Sequence, residues 1–157
     1  MAATNSPDAD PVERVLVVTR VFDAPRPLVY AAWTEPDRLT RWWGPRGFTV
    51  VFSEVDARVG GAWRVRMRSP EGDEHTSGGV YREITPPERL VFTHAWEGCE
   101  DGEPGHETLV TITFAEDAGK TRMTFRQAVF ATSSSRDSHE EGWSSAFEVL
   151  GEYLAQP

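Results

Sequence analysis

Between residues 48 and 130 the chain consists of strand-like segments separated by turn signals. The clearest is "AWRVRMR" at 62–68, in which apolar side chains alternate with arginines. This alternation is typical of a half-buried antiparallel strand, because successive side chains of a strand point to opposite faces. The segments "FTVVFSEVD", "SGGVYREI", "RLVFTHAW", "TLVTITF" and "RMTFRQAVF" also have strand character, and "EDAGK" between the last two is a hairpin signal. With a first strand from Glu13 to Phe22, the sequence predicts seven strands.

Two short helices are predicted between the first and second strands. "DAPRP" ends the first strand, and "LVYAAW" follows as a short helix. A second helix is capped by Thr34 or Glu35 and has Pro36 near its first position. The spacing of three and four residues places three side chains of this helix in one sector, before Gly44 and Pro45 end it: Leu39, Trp42 and Trp43.

A long amphipathic helix is predicted at the C-terminal end. It follows the polar segment "TSSSRDS", which we interpret as a breaker, and extends over roughly 18 residues. Its first turn is expected to carry Asp137, Glu140 and Glu141. Its apolar residues recur at intervals of three and four: Trp143, Ala146, Phe147, Leu150 and Leu154.

The order of these elements predicts an α+β fold in which a curved antiparallel sheet wraps around the C-terminal helix. The side of the sheet that faces the helix is rich in aromatic residues. These rings either pack tightly or leave a hollow between sheet and helix. The predicted inward residues are Trp63, Phe92, Trp96, Phe125, Trp143 and Phe147, with Trp33, Trp42 and Trp43 capping one end.

The amino-acid composition limits the kinds of molecule that this chain is expected to bind. The 157 residues are expected to form a disordered tail at 1–11 and a single domain at 12–157. A net charge of −9 disfavours binding to nucleic acid or to anionic membrane surfaces. The longest aliphatic run, Val15 to Val18, is too short to span a bilayer, and residues 1–10 lack the features of a signal peptide. The single cysteine, Cys99, suits a reducing compartment, so we expect a cytoplasmic protein without an integral membrane segment.

Several segments together resemble a known family. They are "RVFDAPRPLVYAAWTEPDRLTRWWGP", "GVYREITPPERLVFTHAW", "HETLVTITF", "TRMTFRQAVF" and "HEEGWSSAFEVLGEYL". Over about residues 12–155 the chain is similar to bacterial proteins that resemble the C-terminal domain of the activator of heat shock protein 90 ATPase, in the SRPBCC (START-like) superfamily. The resemblance implies the helix-grip fold, also called Bet v-like, with a hydrophobic ligand cavity. Since the eukaryotic activator relies on a separate N-terminal domain, for which there is no room before Val12, a chaperone partner is not expected.

Two polar residues lie at strand positions whose side chains are predicted to point inward, towards the C-terminal helix. His94 can offer a hydrogen bond or a proton inside an apolar cavity, or it can be satisfied by a neighbouring strand or water. Gln127 can orient a ligand or be a satisfied core amide. The full set of candidate ligand-binding residues is Trp42, Trp43, Trp63, Val65, Met67, Val80, Phe92, His94, Trp96, Met123, Phe125, Gln127, Trp143 and Phe147.

Other features have two interpretations each. Trp42 and Trp43 form either a gate over the cavity or part of the core, and one of them can line its mouth. The arginines of "AWRVRMR" either bind an anion or form a solvated face paired with carboxylates. The acidic loop from Glu97 to His106 is either a lid or a disordered decoration. The four histidines and Cys99 show no ligand spacing, so no metal is expected, and no cofactor motif occurs.

Three functions remain as hypotheses. The first is binding of a hydrophobic or aromatic small molecule, such as a lipid or polyketide, between the sheet and the C-terminal helix. The second is an enzyme of the polyketide cyclase or aromatase type, with His94 as general acid or base. The third is a co-chaperone or stress-response interaction module, which rests on the family resemblance alone. A homodimer is kept as a further hypothesis.

Overall fold

The computed structural model describes residues 11–98 and 106–156. A short 3₁₀ helix, Pro11–Arg14, leads into the first strand, and three α-helices and seven strands follow in the described residues. In chain order these are β1 (Leu16–Phe22), α1 (Arg26–Thr34), α2 (Pro36–Leu39), β2 (Thr49–Val55), β3 (Ala62–Arg68), β4 (Glu74–Thr85), β5 (Arg89–Trp96), β6 (Thr108–Asp117), β7 (Lys120–Ala128) and α3 (Ser133–Leu154).

The strands form one open antiparallel sheet in the order β1-β7-β6-β5-β4-β3-β2, and the long helix α3 packs on one of its faces. This confirms the predicted α+β fold. The predicted hairpin is also confirmed, because Asp117 of β6 pairs with Lys120 of β7. The two residues between them, Ala118 and Gly119, have φ of 54° and 85°, which suits the tight turn of a two-residue hairpin.

The prediction for the start of α3 was wrong. The segment "TSSSRDS" is not a breaker, because the helix begins at Ser133 and runs for 22 residues. Thr132 is its N-cap, and its Oγ1 accepts a hydrogen bond of 3.0 Å from the Ser135 amide. The first turn therefore carries serines instead of the predicted acidic residues.

The second short helix is also shorter than predicted. It ends at Leu39, although a hydrogen bond of 3.2 Å from the Trp43 amide to the Leu39 carbonyl continues the turn. Glu35 is its N-cap, but the Glu35 carboxylate pairs with Arg38 at 2.8 Å instead of capping the backbone. Gly44 then ends the segment with φ of +94°, a left-handed conformation that favours glycine.

The core is a cluster of interlocked aromatic rings centred on Trp33, which is 2 % exposed. Trp42 meets it edge to face at 4.6 Å between ring centroids, while its own Nε1 donates a hydrogen bond of 2.9 Å to the Ala32 carbonyl. Phe125 and Phe147 lie 6.1 Å and 6.0 Å from Trp33. In this region the predicted inward aromatic residues pack against one another.

Candidate functional site

A pocket of about 670 Å³ lies beside this core, at the N-terminal half of α3. Its other walls are the segment that follows α2 and the ends of β3, β4 and β5. The lining residues are Trp43, Gly44, Pro45, Phe48, Met67, His75, Ser77, His94, Trp96, Thr132, Ser134, Ser135, Ser138, His139, Gly142, Trp143 and Ala146.

The pocket exists because the side chains of α3 change size along the helix. The C-terminal half presents large buried residues to the sheet, such as Phe147 and Leu150. The N-terminal half presents Ser135, Ser138 and Gly142, which are too small to fill the space opposite β4 and β5. A Cβ atom added to Gly142 would have only the Pro45 ring within 4 Å, at 3.8 Å, so this position is open.

The apolar wall of the pocket is formed by indole rings and Met67. Trp43 and Trp143 meet edge to face, with ring centroids 5.2 Å apart, and each is 7 % exposed. Gly44 lies so close to Met67 that a Cβ atom at position 44 would be 2.9 Å from the Met67 sulfur. This wall offers flat surfaces suited to a planar or apolar ligand.

His94 is the most deeply buried histidine on the pocket wall, at 3 % exposure. Its ring lies 5.3 Å from Trp96 and 5.7 Å from Trp63. Burial lowers the pKa of His94 from 6.5 to about 3, and the neighbouring His139 contributes in the same direction. The imidazole is therefore uncharged at neutral pH, which makes it a hydrogen-bonding group and not an acid.

A second imidazole connects the sheet to the helix at the edge of the pocket. The Trp96 indole donates a hydrogen bond of 2.8 Å to Nε2 of His139. Because an indole nitrogen can only donate, Nε2 must be unprotonated, so Nδ1 carries the hydrogen and donates to the Ser135 carbonyl at 2.8 Å. Both nitrogens of His139 are thus used within the protein.

Gln127 is a satisfied core amide. Its Oε1 accepts a hydrogen bond of 2.8 Å from the Trp143 indole, and its Nε2 donates one of 2.9 Å to Oγ1 of Thr108. Thr108 in turn donates to the His94 carbonyl at 3.2 Å. This chain of bonds holds Trp143 on the helix and His94 on β5, so Gln127 supports the pocket from behind and is not part of its wall.

The candidate residues from the sequence fall into three groups. Five line the pocket: Trp43, Met67, His94, Trp96 and Trp143. Eight lie in the packed core behind it: Trp42, Trp63, Val65, Phe92, Met123, Phe125, Gln127 and Phe147.

Val80 forms the third group, since it points away from the pocket and is 37 % exposed. The inward residues of β4 are instead Ser77 and Tyr81, at 1 % and 3 % exposure, and alternation along the strand then places Val80 on the outer face. The prediction for Val80 was wrong because the glycines before it remove the alternating signal.

Most residues of the polar wall are not among the candidate site residues predicted from the sequence. His75 lies in β4 just before the predicted segment "SGGVYREI", whereas Ser77 is the first residue of that segment but was not among the candidate site residues. Several hydroxyl groups come from "TSSSRDS". Extending the helical spacing backwards from Trp143 in steps of three and four reaches His139 and Ser135, which is the signal that was available.

The arginines of β3 form a solvated face, as one of the two interpretations predicted. Arg64 pairs with Glu97 at 2.5 Å, and Arg68 pairs with Glu74 at 2.7 Å, in both cases with exposed side chains. The predicted lid falls largely on 99–105, including Cys99, and the predicted tail on 1–10, so both lie mainly outside the described residues.

The chain is similar to several solved bacterial structures. A protein from Chromobacterium violaceum is 29 % identical with a TM-score of 0.83, and the match covers 92 % of this chain and 99 % of that one. The AHSA1 protein from Silicibacter pomeroyi is 28 % identical with a TM-score of 0.80, covering 90 % and 97 %. An Arthrobacter aurescens protein is 27 % identical with a TM-score of 0.81, covering 96 % and 91 %. None of the curated proteins matches the sequence.

The fold and the matched family agree with each other. In the described residues, no helix combines the length and apolar character needed to cross a bilayer. The AHSA1-like SRPBCC fold suggests a ligand-binding member. The family model described as "Activator of Hsp90 ATPase homolog 1-like protein" matches residues 23–155, and the chain therefore belongs to this family.

Proposed function

We propose that this protein binds a hydrophobic or aromatic small molecule, lipid-like or polyketide-like, in the pocket between the sheet and α3. The observation that carries the proposal is the pocket of about 670 Å³ with indoles on one wall and hydroxyl and imidazole groups on the other. Its volume falls in the range of about 300–1,000 Å³ typical of small-molecule sites. We further propose that the binding unit is a single domain over 12–157 that acts in the cytoplasm.

One wall of the pocket is apolar and the other is polar, which supports the proposal of an amphiphilic ligand. Trp43, Met67 and Trp143 supply apolar contact, and burial of a ligand against them is favourable in proportion to the apolar area covered. Ser134 and Ser138 are exposed and lie at the N-terminal half of α3. A ligand with an apolar body and a polar group would satisfy both walls at once.

The chemistry of His94 supports binding over catalysis. A general acid or base works best when its pKa is near the working pH, whereas burial lowers the pKa of His94 to about 3. Such a residue neither carries a proton at neutral pH nor takes one readily. The cyclase or aromatase hypothesis therefore loses the residue on which it depended.

Intrinsic tryptophan fluorescence provides the test, because three of the six tryptophans line the pocket. The protein is titrated with a panel of fatty acids, naphthalene derivatives and aromatic polyketides, together with two leucine variants. Gly142→Leu places a side chain in the open space and is expected to abolish the quenching caused by a bound ligand. Ser144→Leu puts the same side chain on α3 outside the pocket lining and is expected to leave it unchanged.

A panel without any saturable ligand would contradict the proposal. So would a ligand that binds the Gly142→Leu variant as tightly as the unmodified protein, because it would then occupy some other place. Circular dichroism of both variants controls for loss of the fold.

A further inference from the structure

His94 presents an unpaired polar atom to the pocket. The ring borders the pocket, and burial keeps it uncharged at neutral pH by lowering the pKa of His94. A neutral imidazole has one N–H, which donates a hydrogen bond, and one unprotonated nitrogen, which accepts one. Within residues 11–98 and 106–156, no residue hydrogen-bonds to the ring of His94, so its acceptor nitrogen has no partner there.

This acceptor constrains the ligand. The side chain is 3 % exposed and borders the cavity, so a molecule that fills the pocket removes the remaining water from the ring. A buried acceptor that loses water without gaining a donor is unfavourable, and a neutral hydrogen bond there changes affinity by about tenfold. A ligand that brings a hydrogen-bond donor to this nitrogen is therefore favoured over one that lacks it.

The charge of the pocket constrains the ligand further. Although the chain has a net charge of −9, the described residues that line the pocket include no Asp, Glu, Lys or Arg. Its titratable side chains are His75, His94 and His139, and His139 uses both ring nitrogens within the protein. A charged group buried here would find no counter-ion among these described lining residues, and its desolvation would weaken binding.

The rings around His94 constrain the shape. Trp96 and Trp143, which line the pocket, lie 5.3 Å and 6.4 Å from its imidazole, and Trp43 meets Trp143 on the same wall. Flat aromatic ligands gain offset or edge-to-face contacts with such rings in addition to burial. A planar molecule positioned among these indoles would bring its edge towards His94.

We propose that the ligand of this pocket is an uncharged hydroxyaromatic molecule whose hydroxyl group donates a hydrogen bond to the free ring nitrogen of His94. This inference rests on the proposed function and adds the chemical class of the ligand and the residue that selects it. In this site His94 acts as an acceptor that selects the ligand, and no proton is transferred.

The test compares three probes with the same ring system by isothermal titration calorimetry at neutral pH. Naphthol is uncharged and has the donor, its methyl ether lacks the donor, and naphthoate is an anion. We expect naphthol to bind about tenfold more tightly than the ether or the anion. In His94→Phe, which keeps a planar ring without the acceptor, naphthol and the ether should bind within about twofold of each other.

Two further variants separate the selection from general damage. His94→Gln supplies an amide oxygen as acceptor and is expected to restore part of the preference for naphthol. His106→Gln changes a histidine that contacts the Val129 carbonyl outside the pocket, and it should retain the full preference.

The outcomes distinguish this inference from the proposed function. If naphthol and its ether bind the unmodified protein equally, or if naphthoate binds more tightly, the ligand class is wrong although the pocket still binds ligands. A preference for naphthol that persists in His94→Phe would overturn the role of His94. If none of the three probes binds, while the protein is folded, both this inference and the proposed binding of aromatic molecules are contradicted.

Discussion

Two aromatic regions lie side by side in this protein, and only one of them is hollow. Around Trp33 the rings of Trp42, Phe125 and Phe147 interlock, whereas Trp43 and Trp143 border open space. The aromatic residues themselves do not account for the difference, since both regions contain indoles that are at least nine-tenths buried.

The difference comes from the residues opposite the rings. The packed region faces Phe147 and Leu150 of α3, and the hollow region faces serines and Gly142 on the same helix. One helix thus closes the core with its C-terminal half and leaves a cavity with its N-terminal half. The size of the residues on the facing element, more than the aromatic content, decides where a ligand can enter.

The largest effect is expected from removing a ring of the packed region. Phe125→Ala should lower the free energy of unfolding by about 3–5 kcal/mol, because a cavity replaces a fully buried ring. Met67→Ala, on the pocket wall, should cost about 2 kcal/mol, since its side chain already borders empty space. Urea unfolding measures both values. Equal losses would contradict the division into a packed and a hollow region.

The hydrogen-bonded link between the two regions gives the next effect. Gln127→Leu should cost about 2 kcal/mol, because it leaves the Trp143 indole and the Thr108 hydroxyl without their partner. The indole N–H signal of Trp143 should also shift in the NMR spectrum of the variant. A loss below about 0.5 kcal/mol with an unchanged signal would show that Gln127 does not support the pocket wall.

The pH dependence of stability tests the environment of His94. An unfolded histidine takes up a proton below its ordinary pKa of 6.5, while burial lowers the pKa of His94 to about 3 in the folded protein. The unfolded state therefore binds more protons as the pH falls through this window, and stability is lost there. Between pH 7 and pH 5 this group should cost about 2 kcal/mol.

The matched variant for this measurement is His94→Phe, in which the pH-dependent loss should be smaller by that amount. Chemical unfolding at pH 7, 6 and 5 supplies the comparison. Identical pH profiles for the two proteins would mean that His94 is accessible to water, and the description of its burial would be wrong.

The smallest effect comes from two glycines of α3, one in each region. Gly142→Ala and Gly151→Ala should each raise the free energy of unfolding by about 0.5–1 kcal/mol, because alanine favours the helix. The added Cβ would lie 3.8 Å from the Pro45 ring in the first case and 3.7 Å from the Phe22 ring in the second. Thermal unfolding measures the gain. Only Gly142→Ala should weaken ligand binding, and an equal change in both would contradict the placement of the ligand.

The sequence predicted the sheet better than the pocket, for physical reasons. β3 and β5 were predicted with their observed bounds, because alternating or apolar runs with turns at both ends specify a strand. Val80 was assigned to the wrong face since its neighbouring glycines carry no side-chain pattern. The serines at the start of α3 predict a breaker instead of a helix, because small polar residues cap helices as readily as they interrupt them.

The sequence pattern did not decide whether the inward rings pack tightly or leave a cavity. The alternation along the strands and the helical spacing of α3 predict which rings point inward, and the structure buries two of them, Phe125 and Trp143. Whether such rings touch depends on distances between elements that are far apart in the chain. The polar wall, with His75 and His139, came from segments in which no apolar period was visible.

The six tryptophans allow the most direct measurement of the central claim, because each indole N–H gives its own signal in a ¹⁵N–¹H correlation spectrum. The protein is titrated with naphthol and the assigned signals are followed. The account predicts that Trp43, Trp96 and Trp143 shift in a saturable way while Trp33 and Trp42 do not. Shifts of Trp33 and Trp42 equal to those of the pocket tryptophans would contradict a ligand site confined to the hollow region.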